Sequence, residues 1–383
     1  MTVTAPAGFE AAGIAAGIKR SGALDLALIV NRGPSQQAAA VFTSNRAKAN
    51  PILWSEQVIL DGRAAAIVLN SGGANCFTGP EGFQVTHRTA EAAAAALGVS
   101  SGDVLVCSTG LIGDQLDGEV LEEGVLSASA RLTATGGDDA ARAIMTTDTR
   151  PKTVVVEVDG WRVGGMAKGA GMLAPGLATM LVVLTTDADL PSEDLDTALR
   201  AATRVTFDRL DSDGCMSTND QVTLLASGAS RVVPALETFT EAVIVACQDL
   251  ALQLQADAEG ASHDIAIEVR GAVTEDDAVE VGRSVARNNL FKAAIFGNDP
   301  NWGRVLAAIG TTKAPFDPYL VDVSMNGVRV CHAGRPDAPR ERVDLTPRAT
   351  HVLVELHAGE ASATIFTNDL THDYVHENSA YSS

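Results

Sequence analysis

Basic residues are scarce in this chain: 28 lysines and arginines stand against 48 aspartates and glutamates in 383 residues, a formal net charge of −20. Such a surface repels a polyphosphate backbone and excludes a nonspecific grip on nucleic acid. The global field is equally unhelpful to an anionic small substrate, so positive charge has to be focused locally, by residues such as Lys168 or Arg304. Cysteine is sparse too. Cys76, Cys107, Cys215, Cys247 and Cys331 are widely spaced, odd in number and without a CxxC pair, which argues against a disulfide framework or a zinc site and fits a reducing compartment. No apolar run reaches the ~18 residues of a membrane span. The opening Met1-Thr-Val-Thr-Ala-Pro lacks the basic and apolar regions of a signal peptide. The expectation is a soluble cytoplasmic protein with no membrane partner.

Several chemistries are missing as patterns. The seven histidines include no H-E-x-x-H spacing, and His372 and His376 lie in a tail without a helix signal, so they read as surface imidazoles and no metal is expected. Asp211 through Asp220 suggests an EF-hand loop, but Val222 stands where the twelfth-position glutamate belongs. It reads as a polar structural loop. The G-x-x-x-x-G-K-[ST] phosphate loop is absent. There is no internal repeat, low-complexity tract or long linker.

What is present is an ordinary globular composition, 46% hydrophobic, enough for one or two domains. Strand patterns fall at Leu26–Asn31, Ala38–Thr43, Ala64–Leu69, Val104–Ser108, Thr153–Val158, Met180–Thr186, Gln221–Ala226, Ile265–Arg270, Tyr319–Met325, Val352–His357 and Ala361–Phe366. Helical patterns cover Val85–Leu97 and Asp117–Leu132. Capping boxes at Thr238/Glu241 and Thr274/Asp277 announce two more, running to about Asp257 and Asn288. The fold class is α/β (α+β), with mixed or antiparallel sheets, because many strands follow one another without an intervening helix.

Near the middle of the chain Lys168-Gly-Ala-Gly-Met-Leu-Ala-Pro-Gly-Leu-Ala-Thr-Met runs from a glycine- and proline-punctuated loop into a small dipeptide, Ala178-Thr179, and then a strand. Spacing alone makes Thr179 an ordinary β-former. Cleavage of the Ala178–Thr179 bond would change that, because Thr179 would carry a free α-amine beside its own hydroxyl. An α-amine titrates at about 7.7–8.0 and can take the hydroxyl proton near neutrality. Attack of the Thr179 hydroxyl on the Ala178 carbonyl, an acyl shift from nitrogen to oxygen, would break the bond from within.

The window from Gly164 to Leu181 resembles the self-cleavage region of the ornithine acetyltransferases (glutamate N-acetyltransferases) of arginine biosynthesis. The likeness extends in order through Asn70–Asn75, Cys107–Gly113, Ile144–Thr149, Asp208–Asp220, Asn298–Arg304 and the tail Glu377–Ser383, essentially the whole chain. The resemblance implies an N-terminal-nucleophile-like sandwich and self-cleavage into residues 1–178 and 179–383, pieces that fold together. It further implies a heterotetramer of two large and two small fragments, and acetyl transfer from N2-acetyl-L-ornithine to L-glutamate through an acetyl-threonine ester. No cofactor is implied, and acetyl-CoA is left open as a second donor. A related self-cleaving amidase or aminopeptidase, with water in place of glutamate, is the alternative.

Residue by residue, the resemblance places the nucleophile on Thr179 and the oxyanion hole on Thr109 and Gly110. The latter sit on the turn after an apolar strand, where a hydroxyl and an unhindered N–H can converge. Substrate contacts fall on Thr146, with Thr147 as the near alternative, and on Lys168, Thr179, Glu259, Asn378 and Ser383. By residue type alone Lys168 is a solvated loop lysine and Glu259 a C-terminal residue of the long helix, before a Gly260 cap. Ser262-His263 departs from the family's usual continuation. Tyr374, Val375 and Tyr381 offer the tail apolar anchors.

Overall fold

The computed structural model describes residues 2–174 and 180–380. Ala178, Thr179 and Ser383 therefore lie outside the described residues, as does Tyr381. Two compact units emerge: the first holds residues up to 170, 180–208 and 216–254, the second 171–174, 209–215 and 255 onward.

The first unit contains two sheets. One has four strands in the order Phe9–Ile14, Leu26–Asn31, Ala66–Asn70, Val104–Ser108. The other has five: Gln37–Phe42, Gln221–Ala226, Leu181–Thr186, Trp161–Lys168, Lys152–Val158. Both are mixed, since Ala66–Asn70 pairs parallel with Val104–Ser108 and Leu181–Thr186 parallel with Gln221–Ala226. The period-2 alternation of a strand assigns each face. Ala27, Ile29, Ile67 and Leu105 from the first sheet meet Met166, Leu181, Val183 and Leu225 from the second in one apolar layer. Leu26, Leu28, Val68 and Val106 point the other way, onto the helices Gly79–Leu97 and Gly118–Ser129 through Ala90, Ala94, Leu121 and Val125. The far side of the five-stranded sheet meets the helix Leu236–Ala256, with Trp161 and Phe239 rings 5.5 Å apart. The unit is thus helix, sheet, sheet, helix, the layered sandwich expected. Strands buried on both faces explain the continuous apolar runs in the sequence.

In the second unit six strands run in the order 335–336, 328–332, 322–325, 349–355, 264–272, 361–368, and one face packs on the helices Glu275–Ala286, Asn289–Phe296 and Trp302–Ile309. Asp264–Ala272 pairs parallel with Ala349–Glu355. Among the described residues no helix is long and apolar enough to cross a membrane, and all five thiols are free.

The expected strands are present, each within three residues of its bounds. The Thr274/Asp277 capping box forms, with Thr274 Oγ1 accepting from Asp277 N–H and Asp277 Oδ2 accepting from Thr274 N–H. Other expectations are corrected. Thr238 and Glu241 lie inside a helix that already begins at Leu236, so they form no cap. Lys168 closes the strand Trp161–Lys168 and is 2% exposed rather than a loop lysine. The tail is helical over His372–Ala380, with Val375 exposed rather than anchoring it. Tyr319 precedes its strand and is exposed.

Candidate functional site

In the first unit the turn after Val104–Ser108 is zipped to the loop after Ala66–Asn70. Thr109 N–H donates to Asn70 O at 3.0 Å, Ala74 N–H to Leu111 O at 2.9 Å and Gly113 N–H to Cys76 O at 3.0 Å. Asn219 ties the two loops together, its Nδ2 donating to Ala74 O and Ser108 O at 2.6 and 2.8 Å. Glycine is required at 110: φ is +134° and a Cβ would lie 2.8 Å from both Cα and N of Gly73. Thr109 is buried.

Lys168 joins this turn to the Thr146 loop. Its Nζ donates to Thr146 Oγ1 at 2.8 Å and to Thr109 Oγ1 at 3.3 Å. An ammonium donates and never accepts, so each hydroxyl oxygen is engaged and each hydroxyl hydrogen can turn toward a ligand oxygen. Thr109, Gly110, Thr146 and Lys168, four of the expected residues, are therefore brought together as a donor-rich corner suited to a carboxylate or an oxyanion.

Two charged residues of this corner were absent from the sequence reading. Asp148 Oδ1 accepts from Lys152 Nζ at 2.5 Å, and both side chains are fully buried. Burial pushes the Asp148 carboxyl up, but the charges of Lys168 and Lys152 and the hydrogen bonds from Lys152 and Thr146 N–H outweigh it and hold it down at about 2. Lys19, half-buried, donates to Met145 O at 2.6 Å; burial and the nearby Lys168 lower its ammonium, with Asp25 and Asp148 opposing them. Asp220, fully buried, accepts from Met180 N–H at 3.0 Å, one residue after the expected cleavage site. Burial raises its carboxyl well above the ordinary range. Asp148 and Asp220 fall inside the quoted motifs, whereas Lys19 and Lys152 lie outside them and carried no sequence sign.

The second unit holds Glu259 and Asn378. Asn378 Nδ2 donates to Glu259 Oε2 at 2.9 Å and to Tyr374 O at 3.0 Å. A Cβ on Gly171 would sit 2.5–2.6 Å from the Glu259 carboxyl atoms, so glycine there leaves the room that carboxyl occupies. Asp213 accepts from Met172 N–H at 2.8 Å, and Met172 has φ +52°. Burial raises Asp213, and Glu259 adds to the rise. Burial also lifts Glu377, with Glu259 and Asp373 contributing. Carboxylates thus dominate around Glu259, which suits a cationic amine. Lys292, buried, donates to Ser212 O; burial lowers its ammonium to about 8 against the pull of Asp213 and Asp211. Ser262 and His263 both turn to Asp369, and His263 Nε2 faces Leu345 O at 2.9 Å, so both ring nitrogens are occupied. Arg304 is bound to Leu290 O. Among the described residues no cluster could hold a metal ion.

A family model described as the ArgJ family matches residues 10–383. Proteins named arginine biosynthesis bifunctional protein ArgJ are similar throughout. That of Streptomyces coelicolor is 65% identical over 383 residues, covering 100% of both chains. That of Mycobacterium tuberculosis is 56% identical over 389 residues, covering 100% of this chain and 96% of its own. Among solved structures, the ornithine acetyltransferase of Mycobacterium tuberculosis complexed with ornithine is 56% identical with a TM-score of 0.45, covering 47% of this chain and 96% of that one. The ArgJ protein of Bacillus halodurans is 33% identical with a TM-score of 0.49, covering 51% and 97%.

Proposed function

The chain belongs to the ArgJ family of arginine-biosynthesis enzymes, and from that premise we propose that it moves an acetyl group from N2-acetyl-L-ornithine to L-glutamate through an ester on Thr179, freed by self-cleavage at Ala178–Thr179. It is an acyltransferase. The observation that carries the site assignment is the convergence of Thr109 Oγ1 and Thr146 Oγ1 on the buried Lys168 Nζ, at 3.3 and 2.8 Å.

In the first half-reaction the Thr179 hydroxyl attacks the acetyl carbonyl while its own α-amine takes the hydroxyl proton. Thr109 O–H and Gly110 N–H stabilise the oxyanion, donors of a kind that each contribute about 2.7–4 kcal/mol. The C–N bond breaks, the proton passes to the leaving nitrogen, and ornithine departs. In the second half-reaction the glutamate amine attacks the ester, N-acetylglutamate leaves, and the hydroxyl recovers its proton. Lys168 and Thr146 hold a substrate carboxylate; Glu259, Asn378 and Ser383 are further substrate contacts, Glu259 pairing with the side-chain amine of ornithine. No cofactor enters, because an amide supplies the group that an amide receives; acetyl-CoA is a second donor to be tried in the same assay. The protein works in the cytoplasm as a heterotetramer of two large and two small fragments.

T179A is expected to run as one unprocessed band on a denaturing gel and to lack acetyl transfer. Two bands from that variant would refute the mechanism. With the wild-type protein, acetylglutamate should accumulate from acetylornithine and glutamate; free acetate without acetylglutamate would instead identify a hydrolase.

A further inference from the structure

We propose that Asp148, partnered by the buried Lys152, is the positioning residue that keeps Lys168 and Thr146 in register with Thr109. Asp148 sits between the helix Gly137–Ala143 and the strand Lys152–Val158, and its two oxygens reach separate parts of the corner. Oδ1 accepts from Lys152 Nζ at 2.5 Å and from Gly169 N–H at 2.7 Å, fixing the backbone directly after Lys168. Oδ2 accepts from Thr146 N–H at 2.9 Å and stands 3.9 Å from Lys168 Nζ. One carboxylate therefore fixes the strand end and the loop that present the substrate-facing ammonium and hydroxyl.

The two lysines are not equivalent. Asp148 makes its short contact with Lys152 and stays further from Lys168, which spends hydrogens on Thr146 and Thr109 instead. Lys152 thus satisfies the carboxylate and keeps it from capturing Lys168 outright. Removing Lys152 alone leaves Asp148 facing Lys168, with Lys19 felt only through its charge, which tightens the Asp148–Lys168 pair and draws Nζ from the hydroxyls. Removing both charges leaves Lys168 buried without that counter-ion, which disfavours its protonated form. Neither Asp148 nor Lys152 touches the reacting atoms.

The kinetic part of this inference rests on the acetyl-transfer reading; its structural part does not. The test is a nitrogen-15 NMR titration of the Lys168 ammonium in wild type, K152M and the charge-free pair D148N/K152M, beside pH profiles of acetyl transfer. The Lys168 midpoint should move up in K152M and down by about one pH unit or more in D148N/K152M. The alkaline limb of kcat/KM should move down with it, and KM should rise in K152M. A folded D148N/K152M with an unmoved midpoint overturns the inference, and so does a K152M midpoint that stays put. Wild-type protein without acetyl transfer, but with both NMR shifts, would instead sink the acetyl-transfer reading and leave the positioning role standing.

Discussion

Gly110 is the residue on which the turn proposed as the oxyanion hole is most finely set. With φ at +134° and Gly73 backbone atoms 2.8 Å from where a Cβ would be, G110A has to push the two zipped loops apart. Loss of one preorganised donor costs roughly 100-fold or more in kcat. G110A should therefore show a kcat fall of about that size with KM changed far less, checked on protein whose circular dichroism remains native. Asp220 makes a second prediction, in pH. Its carboxyl is held above its ordinary 3.8 by burial, which the Met180 N–H, Ser217 and Lys168 only partly offset. A proton bound more tightly in the folded chain stabilises it fully below the unfolded value, and that stabilisation is lost as pH rises through the folded value. D220N mimics the neutral acid, so its melting temperature relative to wild type should improve as pH rises from the ordinary carboxylate range through the raised folded value. A difference that does not change with pH above the ordinary carboxylate range would refute the raised carboxyl.

At the scale of elements, the C-terminal helix His372–Ala380 docks through its first turn. Thr371 Oγ1 donates to Gly260 O at 2.6 Å and accepts from Tyr374 N–H at 2.9 Å. A Cβ on Gly260, whose φ is +60°, would stand 2.2 Å from Tyr374 N. G260A should dislodge this helix, exposing the tail to limited proteolysis and raising KM for acetylornithine through loss of the Asn378–Glu259 contact; a tail as resistant as wild type would refute the docking role. The same helix shows where the sequence was hard to read. Leu26–Asn31 was legible because both faces are buried and its apolar run continues to Val30, and Gln221–Ala226 because it is fully buried and carries the β-branched Val222 and Thr223 beside Leu224 and Leu225. The tail helix was not, having no buried residue among its nine and so no apolar stripe. The strand Trp161–Lys168 was hidden by Gly164 and Gly165, which resemble loop punctuation. They are glycine because a Cβ would meet Thr2 O at 2.3 Å in one case, and Leu184 and Val154 at 2.9 Å in the other. Mistaking that strand for a loop is also what made Lys168 look solvated. Thr109, Gly110, Lys168 and Glu259 could be located from the family resemblance, whereas the Asp148–Lys152 pair, four residues apart outside any helix, owes its burial to tertiary packing, which its spacing does not reveal.

For the whole molecule, the five-stranded sheet determines what a cut at Ala178–Thr179 can do. Its strands come from both sides of the cut: Gln37–Phe42 at one edge and the pair Trp161–Lys168 and Lys152–Val158 at the other precede it, while Gln221–Ala226 and Leu181–Thr186, adjacent between them, follow it. Two seams join the pieces, each a ladder of six residue pairs, from Gln37↔Ala226 to Phe42↔Gln221 and from Val163↔Thr186 to Lys168↔Leu181. Leu181 and Val183 are buried in the same layer as Ile29 and Leu105, so neither piece can leave without exposing the core of the first unit. Fragments of 178 and 205 residues, the latter 383 − 178, should therefore co-elute on a native sizing column and part only in denaturant. Cleavage nevertheless alters the thermodynamics, because chain pairing that was intramolecular becomes an association. Unfolding of the processed protein then releases two chains and its melting temperature must rise with protein concentration, by mass action. Intact T179A lacks that particular dependence, and any that it keeps reports assembly of whole copies. The difference between the two concentration slopes isolates the effect of the cut; equal slopes would mean that the two ladders do not carry the association.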